Sequence, residues 1–265
     1  LKIGVFDSGL GGLTVVKAIN KYFKGADILY IADTIFAPYG NKTHEAIKNR
    51  CILISEFLIK NHNIEALIVA CNTATSAAIK ELRNLYPNLI VIGTEPGIKP
   101  AIELTKTLNI GVLATAATLK GEKYQLLVNQ LSKQKPIKLY EQACIGLVEQ
   151  IEKGEINSFK TNEMLKKWLK PMIENSVDTI VLGCTHYPIV SDNIKNIMGE
   201  NINLIETGQA IANRLEYLCK IKRHCNFDPI KISILHTGNI NKNMIKKIFE
   251  NNKNIDEIKV RKCEI

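Results

Sequence analysis

No apolar run in this 265-residue chain is much longer than a strand, and none approaches the ~20 residues a helix needs to cross a bilayer. The amino end enters a strand pattern directly, with no basic and apolar leader, so a cytoplasmic protein is expected. The seven cysteines are odd in number and include no close C-x-x-C pair, which argues against a disulfide framework and for a reducing compartment. No Ser/Gly linker or low-complexity stretch interrupts the chain. With 46% hydrophobic residues it can bury a substantial core. The 35 Lys and Arg against 26 Asp and Glu leave a net charge of +9, which favours anionic solutes by steering. The clusters Lys166-Lys167, Lys220 to Arg223 and Lys246-Lys247 have no interleaved aromatics to stack bases, so nucleic acid is not an expected partner. A basic nucleic-acid-associated protein stays as the alternative of a different class.

What is present is a block that occurs twice. Ala66-Leu67-Ile68-Val69-Ala70-Cys71-Asn72-Thr73 and Thr179-Ile180-Val181-Leu182-Gly183-Cys184-Thr185-His186 each run from a strand-length apolar stretch through a small residue to a cysteine and polar residues suited to a helix start. Ile3-Gly4-Val5-Phe6 precedes the first block by nearly the distance at which Ile110-Gly111-Val112-Leu113 precedes the second. An ancient doubling of one α/β unit follows. A pseudo-twofold axis would bring Cys71 and Cys184 face to face.

Strand-like runs at 3–6, 27–32, 65–70, 89–93, 109–114, 136–140, 178–183, 202–206 and 230–235 alternate with helical patterns, the rhythm of a mostly parallel sheet flanked by helices. In the helix expected over 43–60 only Arg50 breaks the apolar stripe, and a helix over 188–199 should open at Pro188 and stop at Gly199. The expected fold is α/β with two pseudo-symmetric lobes, residues 1–97 plus 208–265 and residues 98–207, and an active site in the cleft between them.

The first strand ends in Phe6-Asp7-Ser8-Gly9-Leu10-Gly11-Gly12, a turn whose N–H groups suit a carboxylate or phosphate. It matches neither the dinucleotide G-x-G-x-x-G spacing nor a P-loop. Cys71 and Cys184 stand between strand end and helix start, where the helix dipole favours thiolate. Around neither cysteine is there the ligand spacing of a zinc site, so no metal is expected. Acyl transfer by one cysteine with His186 would leave the other thiol idle. Inverting a stereocentre needs an acid and a base on opposite faces of one carbon, which uses both. Asp7 and His186 are candidates to assist the proton transfers, and Glu149 is a further one if the 144–152 helix faces the site. Thr115 and Thr118 open the second half's counterpart of the Asp7 loop and could hold a carboxylate. Cys51, Cys144 and Cys219 read as packing residues in or near helices, and Cys225 and Cys263 as surface or tail.

At these residues the chain resembles the glutamate racemases of the cofactor-independent aspartate/glutamate racemase superfamily. The resemblance is carried by F-D-S-G-x-G-G at Phe6 to Gly12, P-Y-G at Pro38 to Gly40, A-C-N-T-A at Ala70 to Ala74 and G-C-T-H-Y-P at Gly183 to Pro188. It implies Cys71 and Cys184 as the two bases, with Asp7, Ser8, Tyr39, Gly40, Asn72, Thr73, Thr185 and His186 holding the carboxylates and amine of glutamate. It further implies no cofactor, a homodimer, and D-glutamate made for the peptidoglycan of a bacterial cell. Aspartate racemase is the close alternative. Three departures stand out: Ile35-Phe36 where the family usually has Ala-Arg, Gly121 where a serine is common, and Glu206 in place of an aspartate. The first removes a cation near the P-Y-G turn.

Overall fold

The computed structural model describes residues 1–23, 25–133, 135–221, 230–250, 252 and 255–265. Two compact units divide the chain, the first made of Leu1–Thr94 with Gly208–Ile265 and the second of Glu95–Thr207.

In the first unit, β1 (Lys2–Asp7), α1 (Leu13–Tyr22), β2 (Asp27–Ala32), α2 (His44–His62), β3 (Ala66–Val69), α3 (Asn72–Leu85) and β4 (Ile90–Gly93) form the amino-terminal part. The second unit runs α4 (Ile98–Leu104), β5 (Asn109–Ala114), α5 (Ala116–Lys120), α6 (Glu122–Ser132), β6 (Lys138–Ala143), α7 (Leu147–Lys153), α8 (Phe159–Glu174), β7 (Thr179–Gly183), α9 (Ser191–Met198) and β8 (Asn203–Ile205). The chain then completes the first unit with α10 (Gly208–Ile221), β9 (Ile230–His236), α11 (Lys242–Ile248) and β10 (Ile255–Lys262).

The first sheet has the order β10-β9-β2-β1-β3-β4 and the second β6-β5-β7-β8. Each strand pairing among the described residues is parallel. Central strands covered by helices on both faces are expected to be apolar throughout, and β3 and β7 are buried at every position. The repeat seen in the sequence is a repeat of topology. β1 lies between β2 and β3 as β5 lies between β6 and β7, with Phe6 opposite Val69 and Ala114 opposite Gly183.

Local chemistry sets the helix ends. Thr43 caps α2 by accepting the Ala46 N–H at 3.2 Å, and Asn63 ends it in the left-handed conformation at φ 52°. Pro188 cannot donate a backbone hydrogen bond, and the single helix expected over 188–199 is instead a 3-10 turn over Tyr187–Val190 followed by α9. The tenth strand, β10, was not expected. It is an edge strand, and its alternating charges, Glu257, Lys259 and Arg261, discourage pairing with other chains. Cys144, between β6 and α7, Cys51 in α2 and Cys219 in α10 are all buried. Lys222, Arg223, His224 and Cys225 lie outside the described residues.

Arg50, the break in the apolar stripe of α2, has a partner. Asp33, one residue beyond β2 and fully buried, accepts from Arg50 Nε at 2.9 Å and Nη2 at 2.6 Å, from the Tyr39 hydroxyl at 2.7 Å and from Thr237 Oγ1 at 2.9 Å. Arg50 Nη1 donates to the Ile265 carbonyl at 2.7 Å. Removing one member of such a pair strands the other's charge in the interior. Arg50→Ala should therefore cost about 3 kcal/mol in urea unfolding. Lys60→Ala, which breaks the exposed Lys60–Glu56 pair, should leave the midpoint essentially where it is. Equal midpoints for the two variants would contradict this reading.

Candidate active site

Parallel strands deliver their carboxyl ends to one edge of each sheet, and Asp7, Cys71, Thr115 and Cys184 stand at or just beyond such ends. In the first unit β1 ends at Asp7. Its fully buried carboxylate accepts the Gly9 N–H at 2.9 Å, and the Gly9 carbonyl accepts the Tyr30 hydroxyl at 2.6 Å. Gly12 is required by space, because a Cβ there would lie 2.7 Å from Asp7 Cβ and 2.9 Å from the Tyr30 hydroxyl. Ser8 is buried beside Asp7.

Cys71 is the N-cap of α3, its sulfur accepting the Ala74 N–H at 3.4 Å. The thiol thus occupies the place a serine or aspartate usually takes at the start of a helix. Two threonines that sequence reasoning passed over hold this corner. Thr94 Oγ1 lies 2.9 and 2.7 Å from the Val69 and Ala70 carbonyls, and Thr75 Oγ1 donates to the Val69 carbonyl at 3.0 Å. Asn72 and Thr73, in the first turn of α3, are buried, and neither amide atom of Asn72 has a hydrogen-bond partner. A buried amide left open in this way is suited to a polar ligand or ordered water.

The P-Y-G turn follows a cis Ala37–Pro38 peptide and forms a 3-10 turn over Tyr39–Asn41. Tyr39 is buried in the same core cluster as Cys71. Burial first, then the Asp33 charge, pushes its phenol well above the usual range, so it remains a donor. Gly40 is half-buried beside it.

In the second unit Thr115 follows β5 and caps α5, accepting the Thr118 N–H at 3.2 Å, with the two hydroxyls 2.9 Å apart. Cys184 follows β7. Gly183 before it lies against β5, where a Cβ would stand 3.0 Å from Ala114 Cβ. The sulfur of Cys184 is 3.8 Å from Nδ1 of His186, and Thr185 Oγ1 is 3.5 Å from the same nitrogen. Unlike Cys71, Cys184 leads into a 3-10 turn rather than an α-helix.

His186 Nε2 is 2.7 Å from Glu152 Oε1. The carboxylate at the imidazole is therefore Glu152, which the sequence reading did not name, and Glu149 lies one turn earlier on α7, half-buried, with its charge acting on Tyr187. The i, i+3 spacing of Glu149 and Glu152 on one helix was the available signal. Burial alone pushes His186 down, but its hydrogen bonds to Cys184 and Glu152 and their charges outweigh that, and the imidazole is raised well above its ordinary value. Such a thiol–imidazole–carboxylate chain can pass a proton to or from sulfur. Burial also raises the Cys144 thiol and the Tyr187 phenol, which lie close together without hydrogen-bonding geometry. Among the described residues no cluster of His, Cys, Asp and Glu is arranged to hold a metal ion, and no helix is long and apolar enough to cross a membrane.

The sequence profile of the Asp/Glu/Hydantoin racemase family matches residues 3–215. The chain is 62% identical over 265 residues, all of both chains, to the glutamate racemase of Aliarcobacter butzleri (strain RM4018). It is 59% identical over 249 residues, 94% of each chain, to that of Sulfurovum sp. (strain NBC37-1). Among solved structures it resembles glutamate racemase isoform RacE1 of Bacillus anthracis with a TM-score of 0.84 at 31% identity, covering 99% of this chain and 97% of that one. It also resembles the Escherichia coli glutamate racemase in complex with L-glutamate and the activator UDP-MurNAc-ala, with a TM-score of 0.83 at 26% identity, covering 99% and 98%. The Francisella tularensis enzyme in complex with D-glutamate aligns with a TM-score of 0.80 at 28% identity, covering 98% and 97%.

A histidine whose folded pKa exceeds its unfolded value of about 6.5 stabilises the fold fully below that value and loses the contribution as pH rises through the folded pKa. Urea midpoints of the protein should therefore contain a component that falls above about pH 6.5, absent from His186→Gln. Glu152→Gln keeps an acceptor but removes the charge, and should move that fall to lower pH. Superimposable profiles for the three proteins would contradict the assignment.

Proposed function

The chain belongs to the Asp/Glu/Hydantoin racemase family, and we propose that it interconverts L- and D-glutamate by proton transfer at Cα between two cysteines. The observation that carries the reading is the placement of Cys71 and Cys184 at equivalent strand ends, because the order β2-β1-β3-β4 within the first sheet matches β6-β5-β7-β8 of the second. The substrate is supported by the relatives named above, two of whose solved structures hold L- or D-glutamate.

Cys71 acts on one face of the carbon and Cys184 on the other. Each removes the proton in one direction and returns one in the other, as an equilibration of mirror images requires. The two thiols are served differently. The N–H groups at the start of α3 face Cys71, with Asp7 at the neighbouring strand end, whereas His186 backed by Glu152 stands at Cys184. Asp7, Ser8, Pro38, Tyr39, Gly40, Asn72 and Thr73 from the first unit and Thr115, Thr118, Thr185 and His186 from the second supply the groups that hold carboxylates and amine, with Glu149 a further aid to proton transfer. The open amide of Asn72 is the feature that most favours this assignment. No cofactor enters the reaction. The D-glutamate serves peptidoglycan synthesis in the cytoplasm, and the working form is a homodimer.

Cys71→Ala and Cys184→Ala should each lower glutamate racemisation at least about a hundredfold, the contribution of one positioned acid or base, in a chiral chromatographic assay. Wild-type rates in either variant would contradict the two-thiol reaction. With L-aspartate in place of L-glutamate the wild type should show far slower inversion, and a preference for aspartate would move the substrate while leaving the mechanism.

A further inference from the structure

The departure at Ile35-Phe36 places an aromatic ring where the P-Y-G turn begins. Ile35 points outward at 69% exposed, while Phe36 packs partly buried against the core cluster that contains Tyr39 and Cys71. Three side chains converge on the Phe36 ring. The Tyr39 ring meets it edge to face, with centroids 5.7 Å apart and planes at 83°. The Lys42 ammonium stands 4.5 Å from its centroid, and the Arg50 guanidinium carbon 5.9 Å.

These contacts divide the anchoring of the turn between two points. The Tyr39 hydroxyl is tied to Asp33, which fixes the far end of the side chain, and the Phe36 ring fixes the body. Edge-to-face geometry sets the position of the Tyr39 ring as an aliphatic neighbour of similar volume would not. Lys42 closes the turn through its own N–H to the Tyr39 carbonyl at 3.1 Å. Its charge is drawn to the negative face of the aromatic ring rather than left to sweep through solvent. A cation is thereby held beside the P-Y-G turn in a chain whose residues 35 and 36 supply none.

We propose that Phe36 is a positioning residue for substrate binding: its ring orients Tyr39 and docks Lys42 beside the P-Y-G turn, and so sets affinity for the anionic substrate rather than the rate of proton transfer. The proposal rests on the reading of the chain as a racemase of glutamate. The ring contacts of Phe36 are to Tyr39, Lys42 and Arg50, none of which is assigned a proton-transfer role, so its effect belongs to KM. The equilibrium constant between enantiomers is unity, so kcat/KM is equal in the two directions. Loosening a turn that grips groups common to both enantiomers raises both KM values together.

The test is a series at two positions, with KM and kcat measured in both directions and urea midpoints recorded alongside. Phe36→Leu keeps apolar volume but removes the ring, and should raise both KM values about three- to tenfold with kcat within about twofold of wild type. Phe36→Tyr keeps the ring and should behave as wild type. Lys42→Met should reproduce part of the rise and abolish part of the dependence of KM on salt. The double variant Phe36→Leu with Lys42→Met should be little worse than Phe36→Leu alone, because the two side chains act as one unit. An active wild type with unchanged KM in Phe36→Leu would overturn the proposal and show the ring to be core filling. A wild type that inverts no glutamate would instead overturn the reading on which the proposal stands.

Discussion

Because every strand runs parallel to its neighbours, each sheet exposes all its carboxyl ends along one edge, and the chemistry of the chain is written in the residue or two that follow. Asp7 closes β1, Asp33 follows β2, Cys71 comes two beyond β3, Thr94 follows β4 and Thr237 follows β9. In the second unit Thr115, Cys144 and Cys184 take the same place after β5, β6 and β7. Antiparallel pairing would send alternate strands to the opposite edge and scatter these groups. The buried Asp33 shows the cost of the arrangement. A carboxylate at this edge is desolvated, and it persists because Arg50 from α2, Tyr39 from the P-Y-G turn and Thr237 just beyond β9 supply its hydrogen bonds.

Duplication set two thiols at equivalent positions, and divergence gave them different surroundings. Cys71 sits at the start of a 14-residue helix and is served by backbone N–H groups. Cys184 leads into a 3-10 turn whose short span leaves room for a side-chain relay, His186 on Glu152. A backbone donor is permanent, whereas an imidazole between sulfur and carboxylate changes charge. The proposed two-thiol reaction therefore couples a thiol with fixed support to one whose support titrates.

The parts of this arrangement that were legible in the sequence are those built from local pattern. The alternation of strands and helices in two α/β repeats and the location of both cysteines at strand ends follow from apolar periodicity and the doubled block. What escaped depends on which side chains meet across the fold. Glu152 and Glu149 are alike as letters, and only the turn of α7 decides which one reaches His186. Arg50 was visible as a flaw in an apolar stripe, but its reason, Asp33, lies 17 residues away on another element. The strand β10 was hidden because the charges that suit an edge strand break up the apolar run by which strands are recognised. The single helix expected after Cys184 was misjudged because Pro188 fits the first turn of either helix type.

The central claim is that two thiols work on opposite faces of one carbon, and its most direct test is the fate of the proton. L-Glutamate incubated with the protein in D2O, stopped at low conversion and separated by chirality, should yield D-glutamate deuterated at Cα while the remaining L-glutamate keeps its proton. That is the signature of a base that removes the proton on one side and an acid, equilibrated with solvent, that delivers a deuteron on the other. Deuterium entering the L pool as fast as the D pool, or D-glutamate formed with its original proton, would mean that a single group handles both faces and would contradict the account.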